Sequence, residues 1–220
     1  MVPHKIFCFW TGRNDMSPTR KTCLDSMRNN FPYVELVDWK ALPKYILKDH
    51  PLHPGYRYLS DIHRSDYLRC YFANFYGGGY ADIKPYTSSN NWDLCFNIMD
   101  TFSEIEIVGQ PEFLGGTPVS EYNNPYGVVD LVSVSYYICR ANTKFSNSWY
   151  RRMIERMDHY LPELRQHPAT SPFGGEQYPI PWTELLGNIF PHVLMERKQE
   201  NARTICSALS SGIDRNRGWR

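Results

Sequence analysis

The sequence predicts an α/β fold, and three observations carry that prediction. Lys5–Trp10 is a nearly continuous apolar run of strand length, the kind buried on both faces at the centre of an α/β sheet. Ser17-Pro18 then opens a helical pattern, with Ser as N-cap and Pro at the first helical position. A second strand-like run, Tyr33–Val37, completes a β-loop-α-β order. The 220 residues fit one such domain, and a hydrophobic share of 42% suffices for its core.

The remaining elements follow in order. The first helix extends to about Asn30, with Cys23, Met27 and Phe31 near helical spacing. No G-x-G-x-x-G follows the first strand, which argues against a dinucleotide fold of the usual kind. Pro43–Leu47 reads as a short helix and Pro51–Tyr58 as a loop. Ser60 caps a well-marked helix through about Tyr76; three glycines, a short strand at Tyr80–Ile83 and the terminating Pro85 come next. Asn91–Phe102, Ser146–Leu164 and Trp182–Phe190 read as helices, and Glu104–Val108 and Val132–Cys139 as strands. Residues 109–130 and 168–182 are rich in turn-forming residues without periodicity, and are expected to loop over the active face. The domain is expected to span 1–198, with 199–220 a polar tail or linker to further domains.

Composition narrows the partners. Lys plus Arg number 24 against 23 Asp plus Glu, a net charge of +1, which gives no electrostatic case for nucleic acid or a membrane surface. No apolar run approaches the roughly 20 residues of a membrane span, and no signal pattern opens the chain. The six cysteines are scattered without C-x-x-C and read as reduced core residues of a cytoplasmic protein. Aromatic residues at 15%, with 16 Tyr and 6 Trp, suit either a Tyr-rich core or a sugar or base platform.

The informative stretch is Ser60–Lys84. A helix from Asp66 to Tyr76 advances about 15 Å, at 1.5 Å per residue. A strand from Gly77 to Asp82 returns roughly 16 Å. A sharp reversal at the glycines would therefore bring Asp82 back beside Asp66. Arg69, three positions on from Asp66, projects from the same side of the helix. Strand alternation puts Tyr80, Asp82 and Lys84 on one face, and Ala81 and Ile83 on the other. Two carboxylates, a guanidinium and an ammonium then converge. Buried charges are costly unless paired or used, and a ligand with hydroxyls and a diphosphate would use all four.

Ser65-Asp66-x-x-Arg69 followed by Tyr76-Gly77-Gly78-Gly79-Tyr80-Ala81-Asp82-Ile83-Lys84 resembles the sugar-binding region of D-x-D glycosyltransferases, which reads S-D-x-x-R and then Y-G-G-x-Y-x-D-x-D. Pro3–Thr11 is similar to that family's first strand. Tyr178–Glu184 with Phe190-Pro191-His192 is similar to a late motif of its capsular-polysaccharide and viral members. In overall look the chain resembles the capsid-glycan glycosyltransferases of large algal DNA viruses, in which such a domain opens a longer polypeptide. The resemblance is specific over 60–86 and looser from 3 to about 195.

It implies a GT-A fold: a mostly parallel sheet between helix layers, with the donor at the strands' C-terminal edge. It implies a hexosyltransferase that moves sugar from UDP-glucose, or a deoxysugar donor such as UDP-rhamnose, to a glycan or glycoprotein acceptor in viral capsid glycan synthesis, in the host cytoplasm. A nucleotide-sugar binding module without catalysis is the alternative. Phe9, Trp10 and Thr11 would hold the nucleoside, Asp66 and Arg69 the sugar hydroxyls, and Gly78, Gly79, Tyr80, Asp82 and Lys84 would complete the donor site.

One departure from the family matters. Its second Asp, a ligand for Mn²⁺ or Mg²⁺, is Lys84 here. Lys84 either replaces the cation against the diphosphate, or turns outward and leaves Asp82 and a late residue such as His192 to hold the metal. Asp130, Glu176 and Glu184 are the candidate general bases.

Overall fold

The apolar run that opens the chain becomes strand β1 (Ile6–Trp10), and Ser17 caps helix α1 (Pro18–Asn30) by accepting the Arg20 N–H. Strand β2 (Val34–Asp38) returns parallel to β1, Ile6 facing Val34. This computed structural model describes residues 1–84, 92–111 and 131–207. Ser60 caps helix α2 (Asp61–Phe75) through the His63 N–H, and strand β3 (Gly78–Ala81) follows the glycine reversal. Helix α3 (Trp92–Thr101), strands β4 (Ile107–Pro111) and β5 (Val132–Cys139), helices α4 (Lys144–Gln166) and α5 (Phe190–Glu200) and strand β6 (Ile205–Ser207) complete the described α-helices and strands. Short 3₁₀ helices lie at Leu42–Tyr45, at Ala202–Thr204 and at Pro54–Tyr58, the last within the stretch expected to be a loop.

The strands form one sheet in the order β2-β1-β3-β5-β4-β6. β1 is parallel to β2 and β3, and β6 is parallel to β4. β5 runs antiparallel to both β3 and β4. The sheet is therefore mixed, with β5 alone among the described strands running against the other five. β5 opens Val-Ser-Val-Ser, the alternation common in antiparallel strands, where β1 is apolar throughout.

Side-chain alternation sends each strand's residues into two separate cores. Phe7, Phe9, Tyr80, Tyr137 and Cys139 pack with α2, α4 and α5 on one face. Ile6, Cys8, Ala81, Tyr136 and Ile138 pack with α1 and α3 on the other. The result is an α/β protein with its sheet flanked by helices. Cys8, Cys23, Cys70, Cys95 and Cys139 are buried in these cores. Among the described residues, no helix is long and apolar enough to cross a membrane.

Two sequence expectations change. Trp182–Phe190 is not a helix: Glu184, Leu186 and Ile189 close successive i→i+3 turns, and α5 begins only at Phe190. Pro191 lacks the N–H that a continuous helix would need there, but suits the first turn of a new one. The chain also stays in the fold past 198, which falls inside α5, since β6 pairs with β4 as far as Ser207. Residues 208–220 lie outside the described part, as do 112–130 of the expected long loop.

Candidate active site

β1, β2 and β3 are parallel, so their C-terminal ends share one edge of the sheet, and antiparallel β5 starts at that edge. The loop after β1 rests on the first turn of α2: a Cβ at Gly12 would lie 2.5 Å from an Asp61 carboxylate oxygen. The helix, the glycine reversal and β3 then bring the predicted charges together at this edge.

Asp82 is the hub. Its Oδ1 accepts from Arg69 Nη2 at 2.9 Å and from the Tyr80 hydroxyl at 2.7 Å, and its Oδ2 meets Lys84 Nζ at 2.8 Å. Its backbone N–H donates to the Ser135 carbonyl on β5, and Arg69 Nη1 donates to the neighbouring Val134 carbonyl. The Arg69 guanidinium lies 4.4 Å from the centre of the Tyr80 ring, a cation–π contact. Burial opposes ionisation of Asp82, yet the Arg69 and Lys84 charges win and hold its carboxyl below the usual range.

Asp66 is the opposite case. It is 4% exposed and, among the described residues, its carboxylate accepts no hydrogen bond. Desolvation pushes its carboxyl up to about 7; Arg69 opposes that rise and the Asp82 charge adds to it. A buried carboxylate without a partner is costly. A ligand hydroxyl would supply the missing bond.

The other predicted residues divide. Tyr80 belongs to the cluster. Trp10 and Thr11 stand half-buried at the edge, where the Trp10 indole N–H donates to the Asn14 carbonyl at 3.0 Å. Phe9 is buried between Phe72 and Tyr80 and acts as core. Gly78 and Gly79 sit at the start of β3, about 10 Å or more of strand away from Asp82, and serve the sheet rather than the edge. Glu184 is 7% exposed with both oxygens engaged, Oε1 by Arg156 at 2.6 Å and Oε2 by Asn188 at 2.7 Å. It ties its segment to α4. Glu176 is exposed, His192 stands half-buried on α5, and Asp130 lies outside the described residues.

The donor set does not suit a divalent metal. A hard cation needs carboxylate oxygens with open lone pairs, and both Asp82 oxygens already face a cationic nitrogen. Lys84 points inward, its side chain 16% exposed, which removes the alternative in which it turns away. Among the described residues no cluster of three His, Cys, Asp or Glu side chains is placed to hold a metal.

Sequence reasoning missed four participants. Val134 and Ser135 contribute only backbone carbonyls, which leave no trace in residue type. Trp39, 45% exposed just past β2, carries Arg13 at 5.5 Å from its ring centre and so widens the same edge. His63, 2% exposed, binds Tyr178 and the Trp182 carbonyl. Its place one turn before Asp66 on α2 was the available signal. No protein-family model matches the chain, and no curated protein matches it significantly.

Proposed function

We propose that this protein is a glycosyltransferase of the GT-A type, which binds a UDP-sugar at the Asp66–Asp82 edge and passes the sugar to a glycan acceptor. The observation that carries this reading is the pairing of an unpartnered, buried Asp66 with the Arg69–Asp82–Lys84 charge cluster. Asp66 offers a strong acceptor to a sugar hydroxyl. Lys84 offers a point charge to the diphosphate. Trp10 and Trp39, at the ends of β1 and β2, offer aromatic faces to the base, in keeping with ligand binding at strand C-termini of α/β sheets.

In the transfer, an acceptor hydroxyl oxygen bonds to the anomeric carbon as the bond from that carbon to the diphosphate oxygen breaks. The electron pair leaves with UDP, and the hydroxyl proton passes to the departing phosphate or to solvent. Charge grows on the diphosphate in the transition state, so a fixed cation there lowers the barrier. Lys84 supplies that cation once the incoming phosphate competes with Asp82 for it.

Thermal unfolding with UDP, GDP and NAD, each with Mn²⁺ or with EDTA, tests the donor site. A nucleotide at 100 times its dissociation constant adds about 2.7 kcal/mol, which is roughly 5–11 °C for a chain of this size. A rise selective for UDP and indifferent to EDTA is expected. No rise with any nucleotide would overturn the reading. A UDP-dependent rise without turnover of UDP-glucose or UDP-rhamnose would make the protein a nucleotide-sugar binder instead.

A further inference from the structure

Between Pro168 and Thr183 the chain has one ionisable carboxylate, Glu176, and no Lys or Arg. Two of its aromatic side chains face solvent: Phe173 is 66% exposed and Trp182 is 55% exposed. Their rings lie within 15° of parallel, with centres 6.3 Å apart. Leaving two such large apolar faces in water forgoes the free energy of burying them, and an exposed aromatic patch marks a binding surface more often than chance.

The segment under these rings is firmly held. Thr170 and Ala169 donate backbone bonds to the Gly174 and Tyr58 carbonyls at 2.7 and 3.0 Å, and Ile62 of α2 donates to Pro172. Gly174 has φ of +112°, and a Cβ there would meet the Tyr178 ring at 2.4 Å. Burial lowers the His63 pKa and favours the neutral ring. The Trp182 carbonyl can only accept, so His63 Nε2 donates to it at 3.3 Å and Nδ1 accepts from the Tyr178 hydroxyl at 2.9 Å. His63 stands about 5 Å along α2 from Asp66. The aromatic pair is thus anchored to the helical turn preceding the carboxylate of the donor site.

We propose that Phe173 and Trp182 form the acceptor platform, on which a neutral, unphosphorylated glycan chain stacks; the inference rests on the transferase reading and names its acceptor class. Pyranose rings present flat C–H faces to aromatic rings and hydroxyls to a polar rim. Ser171 is exposed and its Oγ accepts the Phe173 backbone N–H, which puts one such polar group beside the platform. The absence of Lys and Arg from the segment disfavours a phosphorylated or otherwise anionic partner.

Calorimetric titration of the whole chain with cellohexaose, maltohexaose, mannohexaose and xylohexaose tests the platform, with UDP binding as an independent readout. At least one oligosaccharide should bind, and Phe173→Ala or Trp182→Ala should weaken it by about tenfold or more. Trp182→Phe should retain most of the affinity. UDP affinity and the circular dichroism spectrum should be unchanged in all three variants. Oligosaccharide binding indifferent to both alanine variants would overturn the proposal, as would no oligosaccharide binding by a protein that binds UDP. Binding to phosphatidylcholine vesicles in place of the sugars would also overturn it. Platform binding that persists in a protein with no affinity for UDP would instead remove the transferase reading and leave a glycan-binding surface.

Discussion

Arg69 and Asp82 lie 13 positions apart in the chain and 2.9 Å apart in space, joined across the reversal between α2 and β3. They are 7% and 5% exposed, so neither charge is solvated by bulk water. The pair therefore serves two ends. It locks the helix to the strand, and it fixes a guanidinium one helical turn from Asp66.

The lock has a measurable value. Asp82→Asn leaves the buried Arg69 and the half-buried Lys84 facing a neutral amide, and breaking a buried pair from one side costs about 3–5 kcal/mol. Urea denaturation at pH 7 should show a loss of that size. The folded-state carboxyl of Asp82 is held below its unfolded value, so its stabilisation is complete above the unfolded pKa and disappears as pH falls through the folded one. The gap between wild type and Asp82→Asn should close on acidification below about pH 4. A gap independent of acid would remove the ion pair from the account.

Asp66 should titrate the other way. Its unfolded carboxyl releases a proton near 3.8 and its folded one near 7, so folding binds a proton between those values. The advantage of the protonated group is complete below the lower value and is lost as pH rises through the upper one. Asp66→Asn has no such loss, and its stability relative to wild type should climb from about pH 4 to about pH 7 and then level off. Donor affinity should show the reverse preference, rising through about pH 7 as the ionised carboxylate becomes the better acceptor for a hydroxyl. A flat difference in stability would mean that Asp66 titrates as an ordinary surface carboxyl.

The convergence of these groups was legible in the sequence because it follows from two periodicities and a turn. Helical rise carries the chain out from Asp66, strand rise carries it back to Asp82, and the glycines permit the reversal. The Ser17 and Ser60 caps were legible for the same local reason, a side-chain oxygen placed to meet a free N–H. The direction of β5 was not, because strand polarity depends on connections made far along the chain. Nor was the engagement of Glu184, whose partners Arg156 and Asn188 come from α4 and from the turn region before α5. Lys84 was legible as a departure from the pattern, but its inward aim rests on the depth of Asp82, a property of packing.

The reversal itself can be tested at Gly78. This residue has φ of +89°, a region L side chains rarely adopt, and a Cβ would lie 3.0 Å from the Lys5 carbonyl oxygen on the approach to β1. Gly78→Ala should destabilise by more than about 1 kcal/mol, since strain adds to the contact. In a domain of this size each kcal/mol lowers the melting temperature by roughly 2–4 °C. The shift should appear with and without UDP, since Gly78 lies at the far end of β3 from the charges. A variant as stable as wild type would show that the turn relaxes without cost.

Lys84 gives the sharpest test of mechanism. Its ammonium sits 2.8 Å from Asp82 Oδ2, where a D-x-D enzyme would assemble a metal. If it is the cation that stabilises departing UDP, wild-type turnover is unaffected by EDTA, and Lys84→Met lowers kcat by about 10²–10³, the effect of deleting one transition-state donor. Added Mn²⁺ should not rescue Lys84→Met, because a thioether is a poor ligand for a hard cation. Lys84→Asp should behave differently. It places a second carboxylate beside Asp82 and removes the ammonium from Oδ2, so Mn²⁺ can bind between them and restore part of the turnover, now abolished by EDTA. Wild-type activity that EDTA abolishes would contradict the role given to Lys84, and would require the carboxylates to rearrange around a metal when the donor binds.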